Sequence, residues 1–407
     1  MKLLHTADIH LDSPLRSLAM RDAALSERVR TASRAAFGRL VDTAIAEAVA
    51  GLLISGDLFD GAERSAQTAA FLTLQLERLR DHGIKVFCIK GNHDAENPLT
   101  GDVAMPDNVH VFDGRGGKVQ LADGVWIHGV SFANRHAPES LLPKFQAPVA
   151  GAVNIAMLHT SLAGAEGHDP YAPCTVEQLT SMGFDYWALG HVHRRQIHAE
   201  VPWVVMPGML QGRDMGEPGP KSATLITLGE TISAVEVPTS VVEFLRLSVD
   251  ATGSDSDDTL RDRMRHLLRK TASDLTSESA VVRLSVTGRS PRRWQMARDR
   301  DVWVEAATAY ARATGRLWLE KLVFDLSDDE ARGPSATDEL ATIMQAVRGE
   351  PGFAAACRAE IEDILKELPP ARRAALLPDE GALDRLADRL ATEGAERVLA
   401  RVKGAGS

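Results

Sequence analysis

Eight side chains of metal-ligand type stand at the ends of five apolar runs: Asp8 and His10, Asp57, Asn92 and His93, His159, and His191 with His193. A mixed set of carboxylate, amide and imidazole groups suits manganese, iron or zinc better than calcium, which favours an all-oxygen shell. With His93 set aside, seven donors exceed what one tetrahedral ion takes. They suit two ions that share Asp57 as a bridge, with water filling the remaining positions. Two divalent ions about 3.5–4 Å apart can clamp a phosphoryl group, activate water and neutralise charge on the phosphate under attack. Phosphoester hydrolysis is the chemistry such a set serves best. His93, beside Asn92, projects differently and is free to hydrogen-bond the phosphate or protonate the leaving oxygen. Asp94 is the carboxylate placed to orient that imidazole.

The runs that carry these residues are 2–7, 52–56, 86–91, 155–158 and 186–190. Each reads as a buried strand ended by a polar turn. In a layered α/β sheet chemistry gathers beyond the carboxyl ends of the strands, so the five are expected to deliver their ligands to one edge. Asp8 and His10 lie two apart, as do His191 and His193; in extended backbone such pairs point the same way and address one point or two neighbouring ones. Gly56 and Gly91, each just before a ligand, remove bulk where backbone and metal approach. A single histidine is usually a satisfied core residue; recurrence at five run ends is what carries the reading. His5 and His128 lie within strands and are expected in the core. His82, His110, His136, His198 and His266 have no such context, and His168, in a loop, either caps the site or does not.

Helical periodicity over Glu27–Ala50 and Ser65–His82, the second closing at Gly83, separates the first runs. From Val109 short strands and glycine turns take over, which makes residues 1–240 a sheet-rich layered α/β domain. Residues 241–326 read as a small α+β module. A linker at 327–335 and a helical region at 336–407 follow, the latter with apolar stripes (Phe353 to Leu368, Leu383 to Leu399) that must pack on their own chain or on a partner helix.

The chain has 407 residues, 44% apolar and 25% charged, with a formal charge of -10. It is too long for one small core. No apolar run approaches the ~18 residues of a membrane span, and a strand beginning at residue 2 leaves no room for a signal peptide, so a cytoplasmic location is expected. Three scattered cysteines exclude a disulfide framework and a thiolate zinc site. The acidic total argues against a protein that coats nucleic acid but leaves a nuclease open, because local charge matters more. Between about 260 and 300 the balance turns basic, either as a solvated helix face or as a phosphate-contact surface. Arg292 and Arg293 there, with Arg213, are the candidate substrate contacts.

In order and spacing, Asp8-Ile9-His10, Gly56-Asp57, Gly91-Asn92-His93-Asp94, His159 and Gly190-His191-Val192-His193 resemble the calcineurin-like metallophosphoesterase signature. The words around them (5–15, 56–61, 185–193) and the segment Pro207–Arg213 are similar to bacterial DNA repair exonucleases of the SbcD and YhaO type. The resemblance implies a layered β-sandwich flanked by helices, with a small α+β capping domain and a helical C-terminal tail. It implies two divalent ions, Mn2+ first, one held by Asp8, His10, Asp57 and His193, the other by Asp57, Asn92, His159 and His191, with His93 as the catalytic histidine. It further implies DNA as substrate, an SbcC-like coiled-coil ABC ATPase bound through the C-terminal helices, and a homodimer. Two positions depart from the pattern: Asp214 stands where a histidine is expected, and Lys221-Ser222 where Lys-Gly is usual. A phosphatase or phosphodiesterase acting on a small nucleotide or phosphoprotein is the alternative at the same site. A metal-retaining scaffold working through its tail is the alternative from another class.

Overall fold

The apolar runs of the N-terminal half become strands buried on both faces, which is why they read as continuous rather than alternating. A computed structural model describes residues 1–13, 23–60, 65–95, 105–162, 171–254, 256–327, 336–377 and 379–404. It divides into two units, Met1–Leu245 with Leu275–Val281, and Arg246–Asp274 with Val282–Ser407.

In the first unit the order is β1 (Lys2–Thr6), α1 (Ala23–Ala46), β2 (Gly51–Ser55), α2 (Ala66–Asp81), β3 (Lys85–Ile89) and β4 (Val109–Val111). Then come β5 (Gly117–Ala122), β6 (Val125–Val130), β7 (Val153–His159), α3 (Val176–Ser181) and β8 (Tyr186–Gly190). The last strands are β9 (Gln196–Glu200), β10 (Trp203–Met206), β11 (Ser222–Leu228) and β12 (Ile232–Pro238). One six-stranded sheet has the order β12-β11-β1-β2-β3-β4 and the other β5-β6-β7-β8-β10-β9. The inner strands of both run parallel, with antiparallel pairings at β11, β12, β5 and β9.

Side chains alternate between two cores. Leu3, Leu53, Phe87 and Ile89 meet Ile127, Ile155, Met157 and Ala188 of the other sheet, so the two sheets form a sandwich. Leu4, Leu52, Ile54 and Val86 face the opposite way, onto Phe37 and Leu40 of α1 and Leu72 and Leu76 of α2. On the far side Leu158, Trp187 and Leu189 pack with Leu179 of α3. Each such leucine stabilises the fold by roughly 1.5–3 kcal/mol. The helix ends follow local chemistry. Ser65 caps α2 by accepting from the Thr68 N–H, and Thr175 and Gln178 form a reciprocal capping box on α3. Helix α1 stops at Ala46 instead of Ala50, because Ala48 turns left-handed (φ 48°) and sends Val49 into the core.

The five ligand-bearing strands are divided between the sheets of the expected sandwich, β1, β2 and β3 in one and β7 and β8 in the other. Periodicity marks burial but cannot say which sheet does the burying.

The second unit contains most of the strands β13 (Val242–Asp250), β14 (Ser279–Arg289) and β15 (Leu317–Ser327), which pair in that order. Helix α4 (Asp257–Asp274) buries Leu260, Met264, Leu268 and Ala272, one residue every turn. A short helix α5 (Arg293–Arg298) precedes α6 (Arg300–Ala313), which buries Trp303, Ala307 and Ala311. Residues 328–335 of the expected linker lie outside the described residues. The chain resumes with α7 (Ala336–Arg348), α8 (Pro351–Lys366), α9 (Pro370–Leu376) and α10 (Ala382–Gly404). Ile361 and Leu365 of α8 pack with Leu383 and Ala387 of α10, so parts of the two C-terminal stripes cover one another. Among the described residues no helix is long and apolar enough to cross a membrane.

Candidate metal centre

Beyond the ends of β1 and β2 the backbones run side by side. The N–H groups of Asp8, His10 and Leu11 donate to the carbonyls of Gly56, Asp57 and Leu58 at 3.0–3.1 Å. The pairs were expected to share a direction through extended backbone; instead they bend. Asp8 (φ 50°), His10 (φ 44°), Asp57 (φ 53°) and His191 (φ 104°) are all left-handed. Such conformations cost on the order of 1–3 kcal/mol each and persist only where the surroundings over-determine them. Here they turn the ligands inward. Asp12, also left-handed, fixes the first loop by accepting a fork from Arg34 (2.7 and 2.5 Å) and a bond from Thr68.

The glycines do what bulk would prevent. A Cβ at Gly91 would fall on Asp57 Oδ1, and one at Gly56 would sit 2.5 Å from His159 Nδ1.

Among the described residues the ligand clusters include Asp8 with His10 and His193, and Asp57 with His159 and His191, while His10 also groups with Asp60 and His93. Asn92 Oδ1 lies 3.1 Å from His159 Nε2 and 3.3 Å from His191 Nδ1, which brings it to the second cluster. Asp57 reaches both: its Oδ2 is 3.4 Å from His159 Nε2 and 3.9 Å from His10 Nε2. The Asp8 carboxylate also accepts from the His191 N–H at 3.0 Å, tying the two sheets together at this end.

Hydrogen-bond logic tests whether these residues fit a cation. His159 Nδ1 faces the Ser55 carbonyl at 2.9 Å, and a carbonyl only accepts, so Nδ1 carries the proton. In the neutral ring Nε2 is then a lone pair aimed at two more acceptors, Asn92 Oδ1 and Asp57 Oδ2. A positive species there, either a bound cation or a proton on Nε2, makes that arrangement favourable. Likewise His10 Nε2 and His193 Nε2 face each other at 3.1 Å, with room for one proton at most between them. Burial works against charge on His159, yet Asp57 and Asp8 raise its pKa to about 9. Burial would push the Asp57 carboxyl up, but the surrounding imidazoles of His159, His10 and His93 hold it well below the usual carboxylate range. The donor set fits a divalent metal: each ring that can be assigned gives its outer N–H to a carbonyl or carboxylate and turns its other nitrogen inward.

Asp94 has a different task from the one its position suggested. Its buried carboxylate accepts from the N–H groups of Leu58 (3.2 Å), Phe59 (3.0 Å) and Gly91 (3.2 Å), binding the Asp57 loop to the Asn92 loop. Burial and nearby Asp57 push its pKa up to about 6. The carboxylate beside the His93 ring is that of Asp60, 3.4 Å from Nδ1 and 3.6 Å from His10 Nδ1. Asp60 stood three residues after Asp57 in the sequence and could have been picked out there. Glu217, 2.7 Å from His193 Nδ1, could not: it lies 24 residues on, in a loop rich in glycine and proline.

Residues 1–195 match the calcineurin-like phosphoesterase family and residues 244–327 the middle domain of the metallophosphoesterase YhaO. This chain carries a calcineurin-like metallophosphoesterase domain and a YhaO middle domain. It is 38% identical over 232 residues to the "uncharacterized metallophosphoesterase YhaO" of Bacillus subtilis, a match covering 56% of this chain and 57% of that protein. It is 27% identical over 206 residues to the DNA double-strand break repair protein Mre11 of Sulfolobus acidocaldarius, covering 48% and 50%. The Methanopyrus kandleri Mre11 is 26% identical over 212 residues, covering 47% and 44%. The chain thus spans about half the length of the curated relatives it matches.

The candidate metal centre opens to a cleft of about 890 Å³, lined by Asp57, His93, His191, Arg194, Glu217 and Lys221 among others. The arginines singled out for substrate are engaged within the protein. Arg213 is held by Glu217 (2.8 Å), Arg292 by Asp257 (2.7 Å), and Arg293 lies 4.5 Å from the Trp294 ring centroid. Arg265, Lys270 and Arg283 of the basic stretch likewise pair with Asp262, Asp274 and Glu320. Arg194 is exposed at the cleft wall. His5 and His128 are fully buried, and His168 lies outside the described residues.

Proposed function

We propose that this chain is a DNA phosphodiesterase working at a pair of divalent ions, Mn2+ first among them, in DNA repair or end processing. The observation that carries the reading is Asp57, one carboxylate within reach of both imidazole clusters. Asp8, His10, His193 and Asp57 would hold one ion, and Asp57, Asn92, His159 and His191 the other. When bound, such ions supply Lewis acidity to a phosphoryl oxygen and a more acidic water.

The chain's own residues do the rest. Asp60 faces His93 Nδ1, so the ring turns Nε2 toward the cleft it lines and can donate a proton to the leaving oxygen there. Burial lowers the His93 pKa, which makes the ring a readier donor once protonated. Left-handed backbone and the Asp94 bonds keep the acidic ligands from relaxing toward solvent.

Similarity to Mre11 proteins, named for DNA double-strand break repair, supports DNA over a small phosphomonoester. For partners, we propose an SbcC-like coiled-coil ABC ATPase docked on the C-terminal helices, where Ile364, Leu390, Val398 and Val402 stay exposed, and a second copy of the chain as homodimer partner.

The test uses chelator-stripped protein given Mn2+ and end-labelled duplex DNA, beside cyclic nucleotides and p-nitrophenyl phosphate. DNA hydrolysis should return with two ions bound per chain and vanish in Asp57→Asn. Turnover of the small esters with DNA left intact would refute the DNA reading.

A further inference from the structure

The loop between β10 and β11 holds a carboxylate that no motif announces. Asp214 shapes a tight turn there: its Oδ1 accepts from the Gly216 N–H (2.6 Å) and its carbonyl from the Glu217 N–H (3.1 Å). This is the position where a histidine was expected, and the aspartate serves as a turn former. The turn folds Glu217 back across the loop, tightly enough that a Cβ on Gly212 would come within 2.8 Å of the Glu217 carbonyl.

The Glu217 side chain is 14% exposed. Four donors converge on it: His193 Nδ1 at 2.7 Å, Arg213 Nη2 at 2.8 Å, Arg213 Nε at 3.2 Å and the Arg213 backbone N–H at 2.8 Å. Arg213 Nη2 also lies 3.3 Å from His193 Nδ1, a longer contact that cannot be a hydrogen bond while that nitrogen carries the proton. An ionised carboxylate only accepts, so the proton on Nδ1 points at Glu217 and Nε2 is left as a lone pair. That lone pair faces His10 Nε2 at 3.1 Å, inside the Asp8–His10–His193 cluster.

We propose that Glu217 is a positioning residue of the metal centre: its carboxylate fixes the tautomer and rotation of His193, and Arg213 clamps the carboxylate in place. The assignment rests on the two-ion reading of the site and not on DNA as the substrate. Partners of this kind typically contribute about 10–100-fold to metal affinity.

The experiment is calorimetric titration of the metal-stripped full chain with Mn2+ alone, comparing the native protein with Glu217→Gln and Glu217→Asp. We expect one of two binding events to weaken about 10–100-fold in Glu217→Gln while the other is unchanged. Partial recovery is expected in Glu217→Asp, which keeps the charge. The Co2+-loaded visible spectrum should change for one site, and kcat should fall with KM unmoved. Should Glu217→Gln fail to fold, Arg213→Met, which leaves the carboxylate but releases its clamp, should still weaken the same event. Two unaltered Mn2+ isotherms in the folded variants would overturn the assignment. If the native chain binds two ions yet leaves DNA whole, the DNA reading fails and Glu217 keeps its role.

Discussion

Acid should loosen the floor of the metal centre through one side chain, His5. Its ring is fully buried between the sheets, with Nδ1 3.0 Å from the Tyr186 hydroxyl and Nε2 3.1 Å from the Leu189 carbonyl. The carbonyl takes a proton from Nε2 and the hydroxyl gives one to Nδ1, so the neutral ring is fully satisfied; a second ring proton would displace the hydroxyl's own and leave a charge in a desolvated site. Burial accordingly drops the His5 pKa from 6.5 to about 3. The unfolded chain, titrating near 6.5, binds the extra proton first, so stability is complete above that pH and falls as the pH drops toward 3. The slope is about 1.4 kcal/mol per pH unit, or about 2.7 kcal/mol two units below the unfolded value. His5→Gln keeps a donor and an acceptor and removes the titration. Urea melts of metal-stripped native protein and variant between pH 4.5 and 7.5 would isolate the effect, because other titrating groups largely cancel in the difference. Parallel pH profiles would refute the reasoning.

Three further outcomes follow from the same geometry. His93→Ala should retain two Mn2+ ions by calorimetry while kcat falls by about 10²–10⁴. Gly91→Ala places a Cβ on Asp57 Oδ1 and should weaken Mn2+ binding by about tenfold or more, with the far-UV circular dichroism of the native chain retained. Asp94→Asn turns an amide toward backbone N–H groups that need acceptors, and should destabilise the first unit by about 1–3 kcal/mol in the same urea assay.

Much of the arrangement was legible because burial on both faces makes β1, β2, β3, β7 and β8 largely apolar, so their ends stand out as polar breaks. The side chains at those breaks are the ones the structure gathers. The route they take was not legible: left-handed Asp8, His10 and Asp57 follow from bonds between loops distant in sequence, which no local pattern records. Strands β11 and β12 escaped notice because mixed burial blurs their alternation, β12 being the sheet's edge strand. The basic stretch left two readings open because a count of arginines omits the acids that fold onto them, as Glu320 does onto Arg283 from the neighbouring strand. Asp60 and Glu217 were missed for different reasons, the first unremarked inside a known word, the second reachable only through a turn.

The bond from His191 N–H to the Asp8 carboxylate spans 183 positions of chain. A ribosome adding roughly 5–20 residues per second leaves something like 10–40 s between the two ends of that contact leaving the exit tunnel. For most of that interval Asp8, His10 and Asp57 have emerged but lack the second sheet that completes their clusters. The proposed hydrolytic activity would therefore switch on late, as a property of the finished sandwich, because the candidate ligand set is incomplete until β8 and His191 have been made.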